Sequence, residues 1–461
     1  MLPLTRNRSR SRFFSAGAST PPSDPNWADV ALLLNTTSTN GAQNNTFLDS
    51  STNAFTVTRN GDTTQGSFTP FAVPSGQSYS AATYGGSGYF GGVVADYLSP
   101  PASSAFSLTA DFTVEAWILV LAGIAQTPYS SPINGPTGAV LVYTNFAGNN
   151  YFGFFGAVPS LNISTGVVAN DGAWHHIAVV RSGTTITMYV DGVNKGAATT
   201  SATIDFGSAT PGRIGANPNG AGDNPFRGYI SNLRIVKGAA VYTGNFTPPT
   251  TPLTAITNTS LLLNFTNAGI YDAATISNAQ TVGNAQVSTT QTKFGTTSMA
   301  FDGTGDWLTI IDKTDLRFGT ATFTIEFWLY LGATGAARGL VAKGTSTTGW
   351  MVSTNASNRV VFTYGTSTIT SSGALSGSQW YFITVVREGT GSNQTKIYID
   401  GVNDGTGTVS TDFNQTSIAY VGANRTGGDA LNGYIDELRI TNGVARYTGN
   451  FTPPTAAFPT L

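Results

Sequence analysis

The sequence predicts an all-β protein: two tandem two-sheet sandwiches behind an extended N-terminal arm. Three observations carry that prediction. Residues 242–250 read YTGNFTPPT, and residues 447–455 read the same string. Alternating and β-branched runs recur in both halves, separated by Gly-rich turns. No long stretch carries the 3.6-residue apolar period of a helix.

The duplication extends beyond the shared string. Gly228-Tyr229-Ile230-Ser231-Asn232-Leu233-Arg234-Ile235 aligns with Gly433-Tyr434-Ile435-Asp436-Glu437-Leu438-Arg439-Ile440. Glu115 and Glu326, Trp174 and Trp380, and Arg234 and Arg439 are separated by 211, 206 and 205 positions. Small loop insertions between fixed strands produce such a drift. A period this long exceeds that of solenoid repeats, so each copy is expected to bury its own core.

The elements follow in order. Residues 1–27 form a basic arm, expected to be an anchor outside either sandwich. It carries Arg6, Arg8, Arg10, Arg12, Phe13 and Phe14 and ends in Pro21-Pro22-Ser23-Asp24-Pro25, a stiff spacer. A solvated terminus is the structural alternative to docking. Copy one is assigned to 28–252 and copy two to 253–461. Phe112-Thr113-Val114-Glu115-Ala116-Trp117 and Phe323-Thr324-Ile325-Glu326-Phe327-Trp328 alternate as strands. The runs ending at Arg181 and Arg387 continue through a turn into a second strand. Each then reaches Asp191-Gly192 or Asp400-Gly401, residues that tolerate positive φ in a hairpin turn. The recurring YTGNFTPPT is expected to close each domain.

Composition narrows the function. Of 461 residues only 10% are charged, against about 25% in an average domain. Cysteine is absent, which removes disulfide and thiolate chemistry. The two histidines, His175 and His176, leave little for a His-based catalytic network or zinc site. No apolar h-region follows the arginines, and no run approaches the roughly 18 apolar residues of a membrane span. The expectation is a soluble chain with no membrane partner.

Each copy carries Phe-Thr-[Val/Ile]-Glu-x-Trp, Trp-x-x-Ile-x-Val-Val-Arg, Tyr-[Val/Ile]-Asp-Gly-Val-Asn and Gly-Tyr-Ile-x-x-Leu-Arg-Ile. These elements resemble the laminin-G-like branch of the concanavalin A-like lectin/glucanase superfamily. The resemblance implies tandem concanavalin A-like jelly rolls. Phe301-Asp302-Gly303-Thr304-Gly305-Asp306-Trp307 is similar to that family's strand entry, whereas Phe90-Gly91-Gly92 in copy one lacks the first Asp. The tail Asn232–Pro249 resembles modules of virion proteins of marine tailed phages, particularly cyanophages. That implies a virion location, other capsid or tail proteins as partners through the arm, and a homo-oligomer.

Glycosidases of this fold need two carboxylates flanking the bond. Glu115 and Glu326 have no second acid close downstream, and Asp436-Glu437 becomes Ser231-Asn232 in copy one. The chain is therefore read as a non-enzyme. Glu115 and Glu326 are expected on the solvent face or satisfied by Arg181 and Arg387. The superfamily often holds calcium, for which Asp302, Asp306 and Asp436 are the candidates; turn chemistry is the alternative. Sugar recognition needs aromatic faces with amides and carboxylates. Asn217, Asn219 and Asp223, and Asn424, Arg425 and Asp429, are the candidates, in equivalent loops. Trp117, Trp174, Trp328 and Trp380 read as core, and Trp350 as more exposed. The function expected is a non-enzymatic virion display protein, a fibre, adhesin or capsid decoration, with a host cell-surface glycan as ligand. A free lectin and a glycoside hydrolase are the competing classes.

Overall fold

A computed structural model describes residues 23–74, 77–121, 126–130, 140–146, 149–156, 161–217 and 224–460. The six arm residues Arg6, Arg8, Arg10, Arg12, Phe13 and Phe14 lie outside them. Short helical turns at Trp27–Asp29, Ala81–Tyr84, Ser104–Phe106 and Thr314–Leu316 interrupt an otherwise β structure among the described residues.

Each of two compact units is a sandwich of two antiparallel sheets. In the first unit, one sheet runs Val193–Thr199, Thr185–Val190, Trp174–Ser182, Phe112–Val120, Arg227–Lys237, Ser87–Gly91, Thr64–Gly66. The other runs Leu161–Val168, Tyr151–Gly156, Val140–Phe146, Gln126–Ser130, Arg213–Ile214, Tyr97–Ser99, Thr58–Asn60. Alternate residues from both sheets, among them Val114, Ile118, Val179, Tyr129 and Ile214, fill the space between. The second unit repeats the plan, with Ile325, Phe327, Val385, Trp350 and Val421 in its core. Trp350 is 1% exposed and stacks on Phe318, which corrects the expectation of an exposed ring. Its strand, Trp350–Thr354, turns that side chain inward.

The duplication holds residue by residue. Trp117 pairs with His176 as Trp328 pairs with Phe382, and Trp174 pairs with Leu119 as Trp380 pairs with Tyr330. These tryptophans face away from the inter-sheet core, and only Trp328 is fully buried. Their face carries a second apolar layer formed by the tails. Tyr242 and Phe246 stack 3.6 Å apart, as do Tyr447 and Phe451. The Phe246 amide donates to Gly192 O at 2.9 Å, and the Phe451 amide to Gly401 O at 2.9 Å. Each YTGNFTPP string therefore docks on the Asp-Gly hairpin of its own unit.

The unit boundaries differ from those of the repeats. Unit 1 takes residues 45–72 and 80–267; unit 2 takes 23–44, 73–79 and 268–460. The opening strand of copy one, Val30–Thr36, thus belongs to unit 2, where it pairs with the closing strand Asn432–Asn442. The opening strand of copy two, Thr259–Leu263, pairs in unit 1 with the closing strand Arg227–Lys237. Sequential strands tend to pair, so the edge of Arg227–Lys237 takes the next strand along the chain. The corresponding place in unit 2 is filled by Val30–Thr36, the first strand among the described residues. Leu32-Leu33-Leu34-Asn35 repeats as Leu261-Leu262-Leu263-Asn264, so likeness between copies cannot show which acceptor each strand fills.

The arm also ends earlier than expected. Asp24 is 6% exposed and forms part of unit 2. Its carboxylate accepts from Arg439 Nη1 at 2.9 Å and from Arg446 Nη2 at 2.8 Å.

Candidate functional site

The strands Phe112–Val120 and Phe323–Leu331 place Glu115 and Glu326 beneath the tails, both essentially unexposed. Glu115 accepts from Arg234 Nε and Nη2 at 2.9 and 2.6 Å and from the Tyr242 hydroxyl at 2.8 Å. His176 Nε2 stands 3.2 Å away. Burial pushes the Glu115 carboxyl up, but the His176 hydrogen bond and the Arg234 charge outweigh it and hold the group below its ordinary value. Glu326 accepts from Arg439 Nε and the Tyr447 hydroxyl, both at 2.8 Å. Arg181 and Arg387 are not their partners, which corrects the sequence expectation. Arg181 Nη1 instead donates to Ala202 O, and Arg387 donates to Gly319, Ala321 and Thr411 carbonyls. Both glutamates have their oxygens committed to positive or hydroxyl donors. Neither has the open position a general acid or nucleophile requires.

The three calcium candidates do not converge. Asp306 clasps a turn, accepting from the amides of Asn284 and Asp302 at 2.6 and 2.8 Å. Asp302 accepts from Thr304 N and Asn284 Nδ2. Asp436 accepts from Lys293 N and Phe294 N on another part of the sheet. It lies four residues along the closing strand from Asn432, the residue paired with Asp302, roughly 13 Å at strand rise. No group of three or more His, Cys, Asp or Glu among the described residues could hold a metal. The turn chemistry recurs in copy one, where Asp96 accepts from Asp62 N at 2.8 Å.

Of the loop candidates, Asn219 and Asp223 lie outside the described residues, and Asn217 is 9% exposed. The equivalent loop in unit 2 is built on itself. Asn424 Oδ1 accepts from the amides of Thr426 and Gly428, and Asn424 Nδ2 donates to Asp429 Oδ2 at 2.8 Å. Arg425 Nη1 is buried with no hydrogen-bond partner among the described residues, and burial pulls the guanidinium value down.

That loop abuts a surface that motif reading missed. One sheet of unit 2 runs Ala279–Val282, Trp307–Ile310, Ala419–Val421, Arg338–Lys343, Trp350–Thr354, Arg359–Tyr364, Ser367–Ala374, and its Leu308, Ile310, Ala419 and Val421 point into the core. The alternate residues Trp307, Thr309 and Tyr420 therefore stand on the outer face, all half-buried. Thr309 pairs with Gln280 on one side and Tyr420 on the other. The Thr309 hydroxyl donates to Gln280 Oε1 at 2.8 Å. A β-carbon at Gly427 would stand 3.0 Å from the Trp307 ring, so the Asn424–Asp429 loop borders the indole. Two aromatic side chains, an amide and a hydroxyl thus share one face, bordered by the Asn424–Asp429 loop. In copy one the equivalent strand positions hold Tyr97 and Arg213, and the Arg213 guanidinium lies 4.3 Å over the Tyr97 ring. A cleft in unit 1 of about 340 Å³ is lined by residues including Thr83, Thr251, Thr254 and Asn264, with no aromatic or charged side chain.

The profile of the concanavalin A-like lectin/glucanases superfamily, laminin G type, matches residues 90–241 and 302–446. The chain belongs to that superfamily. Among solved structures, the mouse laminin alpha1 chain, domains LG4-5, is similar at 14% identity and TM-score 0.30, over 84% of this chain and 98% of that one. Domain 4 of AbnA, a GH43 extracellular arabinanase from Geobacillus stearothermophilus solved with arabinotriose, is similar at 16% identity and TM-score 0.30. That match covers 36% of this chain and 84% of that one. The botulinum neurotoxin serotype G binding domain is similar at 13% identity and TM-score 0.32, over 39% and 46%. No curated protein matches the chain.

Proposed function

We propose that this superfamily member is a non-enzymatic display protein of a tailed-phage particle, and that unit 2 binds a host cell-surface glycan on the Trp307–Tyr420 face. The observation that carries the glycan reading is the grouping of Trp307 and Tyr420 with Gln280 and Thr309 on the outer face of one sheet. Sugar rings stack on aromatic faces while their hydroxyls take amide and hydroxyl hydrogen bonds. The commitment of Glu115 and Glu326 to buried arginines and tyrosines supports a binding role over hydrolysis. The virion location rests on the resemblance of the tail motif to phage modules and on the basic arm.

Glycan binding is tested on an array of bacterial surface polysaccharides. Trp307→Ala should lower affinity roughly five- to thirtyfold, since stacking on one ring contributes on the order of 1–2 kcal/mol, while the melting temperature of unit 2 holds. Binding unaltered by the substitution would sink the assignment of this face. The anchoring role of the arm has its own measurement. A chain lacking residues 1–20 should fold but fail to enter particles, scored by immunolabelled electron microscopy. Incorporation at normal copy number would make the arm a tail.

A further inference from the structure

Each unit is completed by a strand from the other repeat, and the two acceptors read their donors identically. In unit 2, Leu32, Leu33 and Leu34 lie opposite Ile440, Arg439 and Leu438. In unit 1, Leu261, Leu262 and Leu263 lie opposite Ile235, Arg234 and Leu233, the equivalent positions. Both donors are also held by an aspartate at the same place. The Leu33 amide donates to Asp272 Oδ1 at 3.0 Å, and the Leu262 amide to Asp49 Oδ1 at 2.9 Å. In unit 2 the donor has one further latch, the pairing of Asp24 with Arg439 and Arg446.

We propose that the donor segment Asp24–Thr36 is also received by unit 2 of a second copy of this chain, so that copies join head to tail. The acceptor reads a backbone register, three leucines and one carboxylate. None of these distinguishes a strand of the same chain from one of a neighbour. Unit 1 already takes its strand from the other repeat, so donor and acceptor are separable parts of the sequence. Exchange between copies makes the same contacts as exchange within one, and the balance is set by the effective concentration of the tethered donor against the free concentration of copies. A head-to-tail link is heterologous and produces rings or filaments, a multivalent arrangement for a weak surface ligand.

The absence of cysteine gives a clean test. Asn35 and Tyr271 face each other across the donor and its neighbouring strand, both half-buried. Two full-length variants, Asn35→Cys and Tyr271→Cys, are unfolded together, refolded at high concentration and oxidised. The expected result is a covalent heterodimer of twice the chain mass that reductant dissolves. Its yield should fall at least tenfold when refolding is dilute or when Asn403→Cys replaces Tyr271→Cys. Folded variants that give no heterodimer at any concentration would overturn the proposal. Should either variant fail to fold, the unsubstituted chain is refolded over the same concentrations and weighed in solution. A mass of one chain throughout overturns the proposal equally, and multiples rising with concentration support it.

Discussion

At Gly401 a β-carbon would stand 1.9 Å from the carbonyl oxygen of Phe451, and at Gly192 it would stand 1.8 Å from that of Phe246. Both glycines also hold positive φ, 77° and 75°. The requirement is therefore double: a left-handed turn and a backbone passing directly over it. Asp-Gly as a hairpin turn is readable from the sequence, because the dipeptide itself carries the conformational preference. The second requirement is not, because the tail that presses on the turn lies about fifty residues away. Gly401→Ala should lift Phe451 off the hairpin, open the stack with Tyr447 and cost roughly 2–3 kcal/mol by chemical denaturation. A cost below half a kcal/mol would mean that the tail is held elsewhere. Asp24 shows the same limit of sequence reading more sharply. It reads as part of a spacer, yet its partners Arg439 and Arg446 are 415 and 422 positions away. The paired tryptophans and Trp307 stand inside repeated motifs and are visible in the string. Tyr420 stands in none, and only strand pairing sets it beside Thr309.

The closing strand of each unit carries a bulge, and the bulge sets a pH dependence. Asn232 and Glu437 occupy equivalent places with φ of 52° and 55°, where the register slips. Asn suits that conformation and Glu does not. Each side chain then holds the chain that follows its tail: Asn232 Oδ1 accepts from Leu253 N, and Glu437 Oε2 from Phe458 N at 2.7 Å. Burial pushes the Glu437 carboxyl up to about 7 and that of neighbouring Asp436 up to about 6. Buried Asp272, which clasps the donor strand, is likewise raised to about 6. A carboxyl with a raised value keeps its proton in the folded state where the unfolded chain has released it. The stability it contributes is present below about pH 4 and is lost as pH rises through the folded value. Unit 2 should therefore melt at progressively lower temperature from pH 5 to pH 7, above which buried Lys313, its ammonium held down to about 8, adds the opposite slope. The Asp24 carboxyl, held low by Arg446 and Arg439 against its burial, stays ionised across that window and adds no slope. Glu437→Gln keeps the acceptor for Phe458 N and should recover roughly 1–2 kcal/mol at pH 8 while flattening the curve. A melting temperature that rises between pH 5 and 7 in the native chain would contradict these environments.

At the scale of the whole molecule, two sandwiches are legible because two copies of the same motifs are, and each copy is long enough to bury a core. Which strand completes which sandwich is not legible, since Leu32-Leu33-Leu34 and Leu261-Leu262-Leu263 satisfy either acceptor equally well. The repeat boundary at 252 and the structural boundary at 267 therefore make opposite predictions for a dissected chain. A fragment of residues 45–267 contains the donor that unit 1 uses, with Leu261, Leu262, Leu263 and Phe265 all at most 3% exposed. A fragment of residues 45–252 lacks all four side chains and leaves the edge of Arg227–Lys237 from Leu233 onward without its strand. Burying a large apolar side chain contributes about 1.5–3 kcal/mol, so the four together amount to roughly 6–12 kcal/mol. That matches the entire net stability of a typical domain, about 5–15 kcal/mol. The longer fragment should thus unfold in one cooperative transition, and the shorter should show none and expose an unpaired edge prone to aggregation. Calorimetry of the two fragments side by side decides the matter. Equal melting of both would mean that unit 1 closes without the strand of the second repeat, and the exchange would lose its energetic basis.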